Sequence, residues 1–454
     1  MKDLTEGKEG KLIWRFAIPM LIGNVFHQFY NIVDSWVVGN YLGKEALAAV
    51  GASFPLIFLL ISLVMGVSMG STIIISQYFG AKNLDKVRMT IDTLYIVLFF
   101  GSILITIIGI SFSKLIFELI KLPPEVIPDA VSYFNIYISG AIMMFGYHGT
   151  TAILQGLGDS KTPLYFLIIS SLVNVGLDML FVVQFGWGIE GVALATVIAQ
   201  TGALFTAIIY LNRTHKLIQI RFVNLKFDTE IFKNSFRIGI PTGIQHALVS
   251  LGMLAIFRIV NDFGTAAVAA FSVAVRIDSI AIMPAINFAS ALGTFVGQNM
   301  GAGKLERVRS GLLATFRMTG VISILISVIV IFFGAHLMSF FSSDPEVIAI
   351  GKVYFQVVGS FYIVFAAMFV FTGVFRGSGD TLIPMFITLV ALWVVRVPAS
   401  LIFSKFFGVV GIWYGLPTGW IFGFVLSMIY YFRGNWKSKV IVKKHEIEPE
   451  VELL

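Results

Sequence analysis

"SQYFGAKNLDKVR" (Ser76 to Arg88) comes back as "GQNMGAGKLERVR" (Gly297 to Arg309), and the architecture follows from that recurrence. Two further motifs ride at the same spacing. "PEVI" at Pro124 returns at Pro345, and "QGLGDSKTP" (Gln155 to Pro163) returns as "RGSGDTLIP" (Arg376 to Pro384). Gln77 and Gln298, Pro124 and Pro345, and Asp159 and Asp380 are all 221 positions apart. One constant offset across three separated motifs marks the duplication of a whole unit.

Between these motifs the chain is built for lipid. Of its 454 residues 57% are hydrophobic and 13% charged, and the mean hydropathy is +0.90. With apolar runs of bilayer-crossing length recurring throughout, a soluble protein is excluded. The first run leads into another apolar run rather than into a small-residue cleavage site, so no signal peptide is expected to be removed. Cysteine is absent, which excludes disulfides, thiol catalysis and cysteine-ligated metal.

Breaks at Gly, Pro and charge clusters delimit twelve spans, near 12–40, 46–78, 89–112, 125–156, 163–184, 189–211, 234–262, 266–299, 309–336, 346–377, 381–404 and 408–432. Each copy of the repeat holds six, an even number, so both copies enter the membrane from the same side as parallel repeats. The predicted fold is an all-α polytopic membrane protein, twelve transmembrane helices in two pseudo-symmetric six-helix bundles around a central cavity. Residues 1–222 are expected to form the amino-terminal bundle, and 223–454 the carboxy-terminal bundle with a short charged tail. Pro19 and Pro241, near the starts of spans one and seven, are the expected kinks.

Lys and Arg crowd the amino terminus (Lys2, Lys8, Lys11, Arg15), alternate loops (Lys82, Lys86, Arg88; Arg213, Lys216, Arg221, Lys226, Lys233; Lys304, Arg307, Arg309) and the tail. Loops of the other parity carry chiefly Lys44, Lys114, Lys121 and Lys405. The positive-inside rule then puts both termini in the cytoplasm, with the chain in the cell (inner) membrane. It also accounts for the net charge of +7 without a nucleic-acid partner.

Within the spans, ionisable residues stand out because a charge at the bilayer centre costs at least ~2.5–3.5 kcal/mol on insertion scales. Asp34 lies in "YNIVDSWVVGN", and Asp178 in "SLVNVGLDMLFVV" with Asn174 one helical turn before it. Counting inward from the outer ends of spans one, five and six at 1.5 Å per residue, Asp34, Asp178 and Thr196 share a depth of ~10 Å. The duplicate supplies an internal control. At the same offset Asp34, Asn174, Asp178 and Thr196 match Ala255, Val395, Ala399 and Pro417, so packing common to both halves does not demand the polar set. Gln28, Tyr30 and Asn31 flank Asp34 and are candidates to line the cavity or orient the carboxylate. Arg258, Arg276, Asp278 and Arg396 are further embedded charges with no assigned role, and Arg276 and Asp278, two apart, cannot share a helix face.

Motifs for soluble chemistry fail. "GLGDSKT" has Ser160 where a phosphate loop has glycine before its lysine, no HExxH pair exists, and no nucleophile or acid–base set marks an enzyme. No catalytic residue and no cofactor are expected. No metal site is expected beyond a sodium site at Asp34, Asn174, Asp178 and Thr196, since oxygen ligands suit hard cations.

Pro19, the run Gln28, Tyr30, Asn31 and Asp34, then Gly39, Gly43 and "ALAAVG" (Ala46 to Gly51), with "GQNMGAG" and "RGSGD", resemble the multidrug and toxic compound extrusion (MATE) transporters, nearest the DinF-like branch. The likeness spans essentially the whole chain. It implies a secondary multidrug exporter, exchanging organic, often cationic or amphipathic compounds for protons or sodium ions by alternating access. It also implies coupling at Asp34, Asn174, Asp178 and Thr196, with Pro19 as the bend point of the first helix. NorM-like relatives place a coupling carboxylate eight residues after the proline that begins the seventh helix; here that residue is Val249, which removes a second-half sodium site of that kind. The expected partners are small organic substrates and the lipid bilayer, and the chain is expected to function as a monomer. The alternative is a flippase for lipid-linked oligosaccharides or lipids, which requires Arg258, Arg276 and Arg396 to converge.

Overall fold

The computed structural model describes residues 2–214 and 224–442. Lys216, Arg221, the expected bundle boundary at 222/223 and the tail after 442 lie outside these residues. No strand occurs among the described residues, and the elements are α1 (Glu9–Tyr41), α2 (Lys44–Gly80), α3 (Leu84–Leu119), α4 (Ile127–Ser139), α5 (Ala141–Gly156), α6 (Lys161–Asp178), α7 (Gly188–Thr214) and α8 (Thr229–Asn261), followed by α9 (Thr265–Ala281), α10 (Met283–Gly301), α11 (Leu305–Ser339), α12 (Pro345–Val358), α13 (Tyr362–Ser378), α14 (Leu382–Leu389), α15 (Val397–Phe407) and α16 (Val409–Arg433).

Each of the twelve predicted spans falls on helix, but five are composite. The fourth is α4 and α5, broken at Gly140, where an added Cβ would lie 2.5 Å from Val197. The eighth is α9 and α10, broken ahead of Pro284, whose ring nitrogen donates no hydrogen bond. The tenth is α12 and α13 about a 3-10 turn (Gly359–Phe361). The fifth and eleventh contain π-helical segments, Met179–Gln184 and Val390–Arg396, a rare register that is frequent at functional sites. Ten helical segments among the described residues are long and apolar enough to cross a bilayer. The two other spans are α4 with α5, each short alone, and α1, whose hydropathy is diluted by Asn24, His27, Gln28, Asn31 and Asp34.

The duplication is written into the backbone as well as the sequence. Left-handed residues recur at the 221-residue offset: Gly43 (φ 88°) with Gly264 (φ 92°), and Gly158 (φ 80°) with Gly379 (φ 95°). Glycine fits these turns because it has no Cβ to clash. Lys82 (φ 59°) occupies the position matched by Gly303 (φ 72°) and carries a strain of roughly 1–2 kcal/mol that glycine avoids.

The described chain forms two compact units, one of Met1–Lys2, Ile22–Phe79 and Asn83–Ile240, the other of Asp3–Leu21, Gly80–Lys82 and Pro241–Leu454. The first unit thus takes the opening turns of α8. There Gly70 and Gly239 let backbones touch: a Cβ on Gly70 would lie 2.3 Å from the Ser235 carbonyl oxygen, and one on Gly239 2.5 Å from that of Gly66. Small residues four apart on both helices are the usual route to so close a crossing in lipid. Asp228 locks the entry to α8, accepting from the Lys86 ammonium at 3.3 Å, while its own N–H donates to Thr93 Oγ1.

The second unit takes the opening turns of α1. Leu4, Leu12, Ile13, Phe16 and Ala17 are buried against Phe288, Phe295, Leu312, Phe375 and Trp436. Buried amides hold the same segment: Leu4 N–H donates to Gln298 Oε1 at 2.9 Å, and Asn299 Nδ2 donates to the Leu4 carbonyl at 3.1 Å. Arg307 closes the set on Glu9 at 3.0 Å and on the Gly7 carbonyl at 2.8 Å. Gln298 and Asn299 belong to the repeated motif, so this stretch of the duplicate grips the amino terminus. In α1 and α8 alike the hand-over between units falls within a few residues of the internal proline, Pro19 or Pro241.

Candidate functional site

In the first unit four helices bring the polar residues of the spans together. Thr196 on α7 is the hub. Its hydroxyl donates to the Val192 carbonyl at 3.2 Å, leaving two lone pairs. Asn174 Nδ2 on α6 donates to one at 3.3 Å, and the Tyr30 hydroxyl on α1 meets the other at 3.3 Å. Since Thr196 has spent its own proton on Val192, Tyr30 is the donor in that contact.

Beside this hub stand the acids. Asp178, the last residue of α6 before the π segment, is fully buried, and its carboxyl group meets that of Asp34 on α1. Tyr30 also lies against Asp34. A phenol has one hydroxyl hydrogen, so Tyr30 serves Thr196 or Asp34 but not both. From α4, Tyr133 and Tyr137 stack on each other with ring centroids 6.1 Å apart, within electrostatic reach of the acids, and Gln200 on α7 lies beside Tyr137.

The acceptors outnumber the donors. Asp34 Oδ1, Asn174 Oδ1 and both carboxylate oxygens of Asp178 are buried and accept no hydrogen bond from a donor among the described residues. Buried polar atoms are nearly always paired, so four unpaired oxygens in one cluster make an acceptor-rich site able to take a proton, a cation or another donor. Two carboxyl groups in contact need a proton between them or a cation beside them.

Other candidates fall elsewhere. Gln28 and Asn31 bond each other, and Asn31 meets His27 Nδ1 at 3.4 Å; no hydrogen bond joins either to the acids. Pro19 lies inside α1, among residues of the second unit. Arg258 closes on Asp262 one turn away at an exposed position, and Arg276 is exposed. Asp278 instead points inward to Tyr354 and Tyr362, whose hydroxyls each donate to one of its oxygens.

Tyr133, Tyr137 and Gln200 were not singled out from the sequence. For Tyr133 a signal existed: at the 221-residue offset it matches Tyr354, so the repeat keeps a tyrosine within electrostatic reach of a carboxylate in each unit.

The MatE family model matches the sequence twice, over residues 19–180 and 241–402, once in each copy of the repeat. The chain belongs to the MatE family. Among MatE relatives, the "Probable multidrug resistance protein YoeA" of Bacillus subtilis (strain 168) is 33% identical over 97% of this chain and 98% of its own. The "Probable multidrug resistance protein NorM" of Thermotoga maritima is 27% identical over 96% of this chain and 95% of its own. Of solved structures, the outward-facing conformation of a multidrug resistance MATE family transporter of the MOP superfamily superposes with a TM-score of 0.89, at 23% identity, covering 95% of this chain and 98% of that one. That likeness establishes the MATE fold here, a multi-pass helical membrane protein.

Proposed function

We propose that this MatE protein is a secondary multidrug exporter in the cell membrane, exchanging organic, often cationic or amphipathic compounds for protons or sodium ions. Family membership supports the substrate class. The observation that carries the coupling site is the set of four buried oxygens at Asp34, Asn174 and Asp178 with no donor among the described residues, beside Thr196. A proton or a sodium ion bound there neutralises the acids, and both are chemically suited to an all-oxygen site.

In this reading the Tyr30 hydroxyl follows the charge. With the acids neutral it bonds Thr196, as observed; with Asp34 ionised it turns to the carboxylate. That exchange shifts α1, bends it near Pro19, and alters the face offered to substrate. Rocking of the two repeats, which we take as residues 1–222 and 223–454, then returns the cation-loaded molecule to its inward-facing state, where the cation leaves to the cytoplasm, the side on which we place both termini.

The flippase alternative has no support, because it needs converging arginines. Arg258 is occupied by Asp262, Arg276 is exposed, and Arg396 faces Asp278.

The deciding experiment is counterflow in proteoliposomes of the purified protein, with a pH gradient and a sodium gradient imposed separately. Substrate is expected to move against whichever gradient couples, and movement under neither removes the exchange mechanism.

A further inference from the structure

In the second unit, Arg396 ends the π-helical segment Val390–Arg396, on the fifth span of its repeat. The fifth span of the first repeat carries Asp178 just before its own π segment. Each irregular helix therefore presents a charge, acidic in one repeat and basic in the other. Position 175, the mate of Arg396 at the 221-residue offset, is Val175, so the cation is not inherited from shared packing.

Arg396 has a carboxylate within electrostatic reach, Asp278 on α9, but does not close an ion pair with it. Both oxygens of Asp278 already accept from Tyr354 and Tyr362. Asp278 thus balances the arginine's charge while two phenols hold the carboxylate in place. Among the described residues nothing accepts a hydrogen bond from the guanidinium, and its Nε is buried. Arg396 as a whole is only partly buried. A second orphan donor, the indole N–H of fully buried Trp413, sits in the same aromatic shell, its ring 5.0 Å from that of Tyr354. Arginine is the side chain best suited to grip a planar anion with two parallel N–H donors. A guanidinium that is charge-balanced, rigidly flanked and short of acceptors is arranged for a ligand oxygen.

We propose that Arg396, poised by Asp278, Tyr354 and Tyr362, is a subsite for the carboxylate of amphoteric organic substrates. It extends the range of the exporter beyond plain cations. This rests on the export reading and deepens it.

The test uses a rhodamine dye with a free carboxylate and its methyl ester, identical but for the anionic group. Binding to the purified full chain in detergent is followed by fluorescence anisotropy, and export of each dye is measured in cells. Wild-type protein is expected to bind the acid about tenfold more tightly than the ester, the discrimination that one well-placed charged hydrogen-bonding group supplies. Arg396→Ala should remove that preference and leave ester binding within about twofold of wild type. Asp278→Asn frees the guanidinium of its counter-charge and should shift preference the other way, further toward the acid. No preference in the wild type, an equal loss for both dyes in Arg396→Ala, or a parallel loss in Asp278→Asn each overturns the proposal. Export separates the two readings. Failure of the wild type to export either dye counts against the transporter assignment, whereas export of both with no Arg396-dependent discrimination sinks the subsite alone.

Discussion

Asp34 and Asp178 are the residues on which transport should turn. Replacing either with Asn keeps the shape but removes the exchangeable charge. Coupling free energies in such systems run ~1–3 kcal/mol, so Asp34→Asn should cut export by about tenfold or more while membrane abundance is unchanged. For Asp178→Asn the pH or sodium dependence of export should flatten; a wild-type profile would remove Asp178 from the coupling set. The two acids were legible in the sequence because an isolated carboxylate in an apolar run has few innocent explanations. Their neighbours were less so. Tyr133 and Tyr137 look like ordinary aromatic filling until α4 is seen against α1 and α7. Gln28 and Asn31, prominent by closeness to Asp34 in sequence, bond each other instead, and Asn31 reaches His27; Asn31 shares a helix face with Asp34, so spacing alone does not foretell that choice of partner.

Among the helices, those that do most are interrupted or irregular ones. Spans five and eleven switch to π geometry beside Asp178 and at Arg396, and no apolar period announces such a switch. The starts of α1 and α8 are pinned by polar anchors instead. At α8, burial works to raise the Asp228 pKa, but the Ile231 N–H, the Lys86 ammonium and the Glu230 N–H outweigh it and hold the group below the ordinary carboxylate value. A carboxylate so lowered stabilises the fold above the unfolded pKa of about 3.9 and loses that contribution as pH falls through its folded value. Asp228→Asn should therefore lower the thermal midpoint at pH 7, at a cost on the order of 1 kcal/mol, with the difference from wild type shrinking as pH falls below about 4. A constant difference across that range would place the effect in packing.

For the molecule as a unit, the 221-residue repeat foretold two related halves, and the recurring left-handed turns carry it into the backbone. What a periodicity argument does not reveal is which helix turns each compact unit keeps. The first unit extends to Ile240, beyond a division at 222, because Asp228, Ser235 and Gly239 complete its contacts with α2 and α3. A fragment ending at Ile240 should accordingly resist protease better in detergent than one ending at 222. Equal cleavage would mean that the opening of α8 adds nothing to the unit.

The grip of Gln298, Asn299 and Arg307 on Leu4, Gly7 and Glu9 also sets a timetable for biogenesis. This segment finds its permanent neighbours only after some three hundred more residues have been made, and Trp436 arrives later still. Until then its apolar side needs lipid, an insertase or a provisional contact to shelter it. Correct maturation of the amino terminus is consequently among the last events of assembly, not the first.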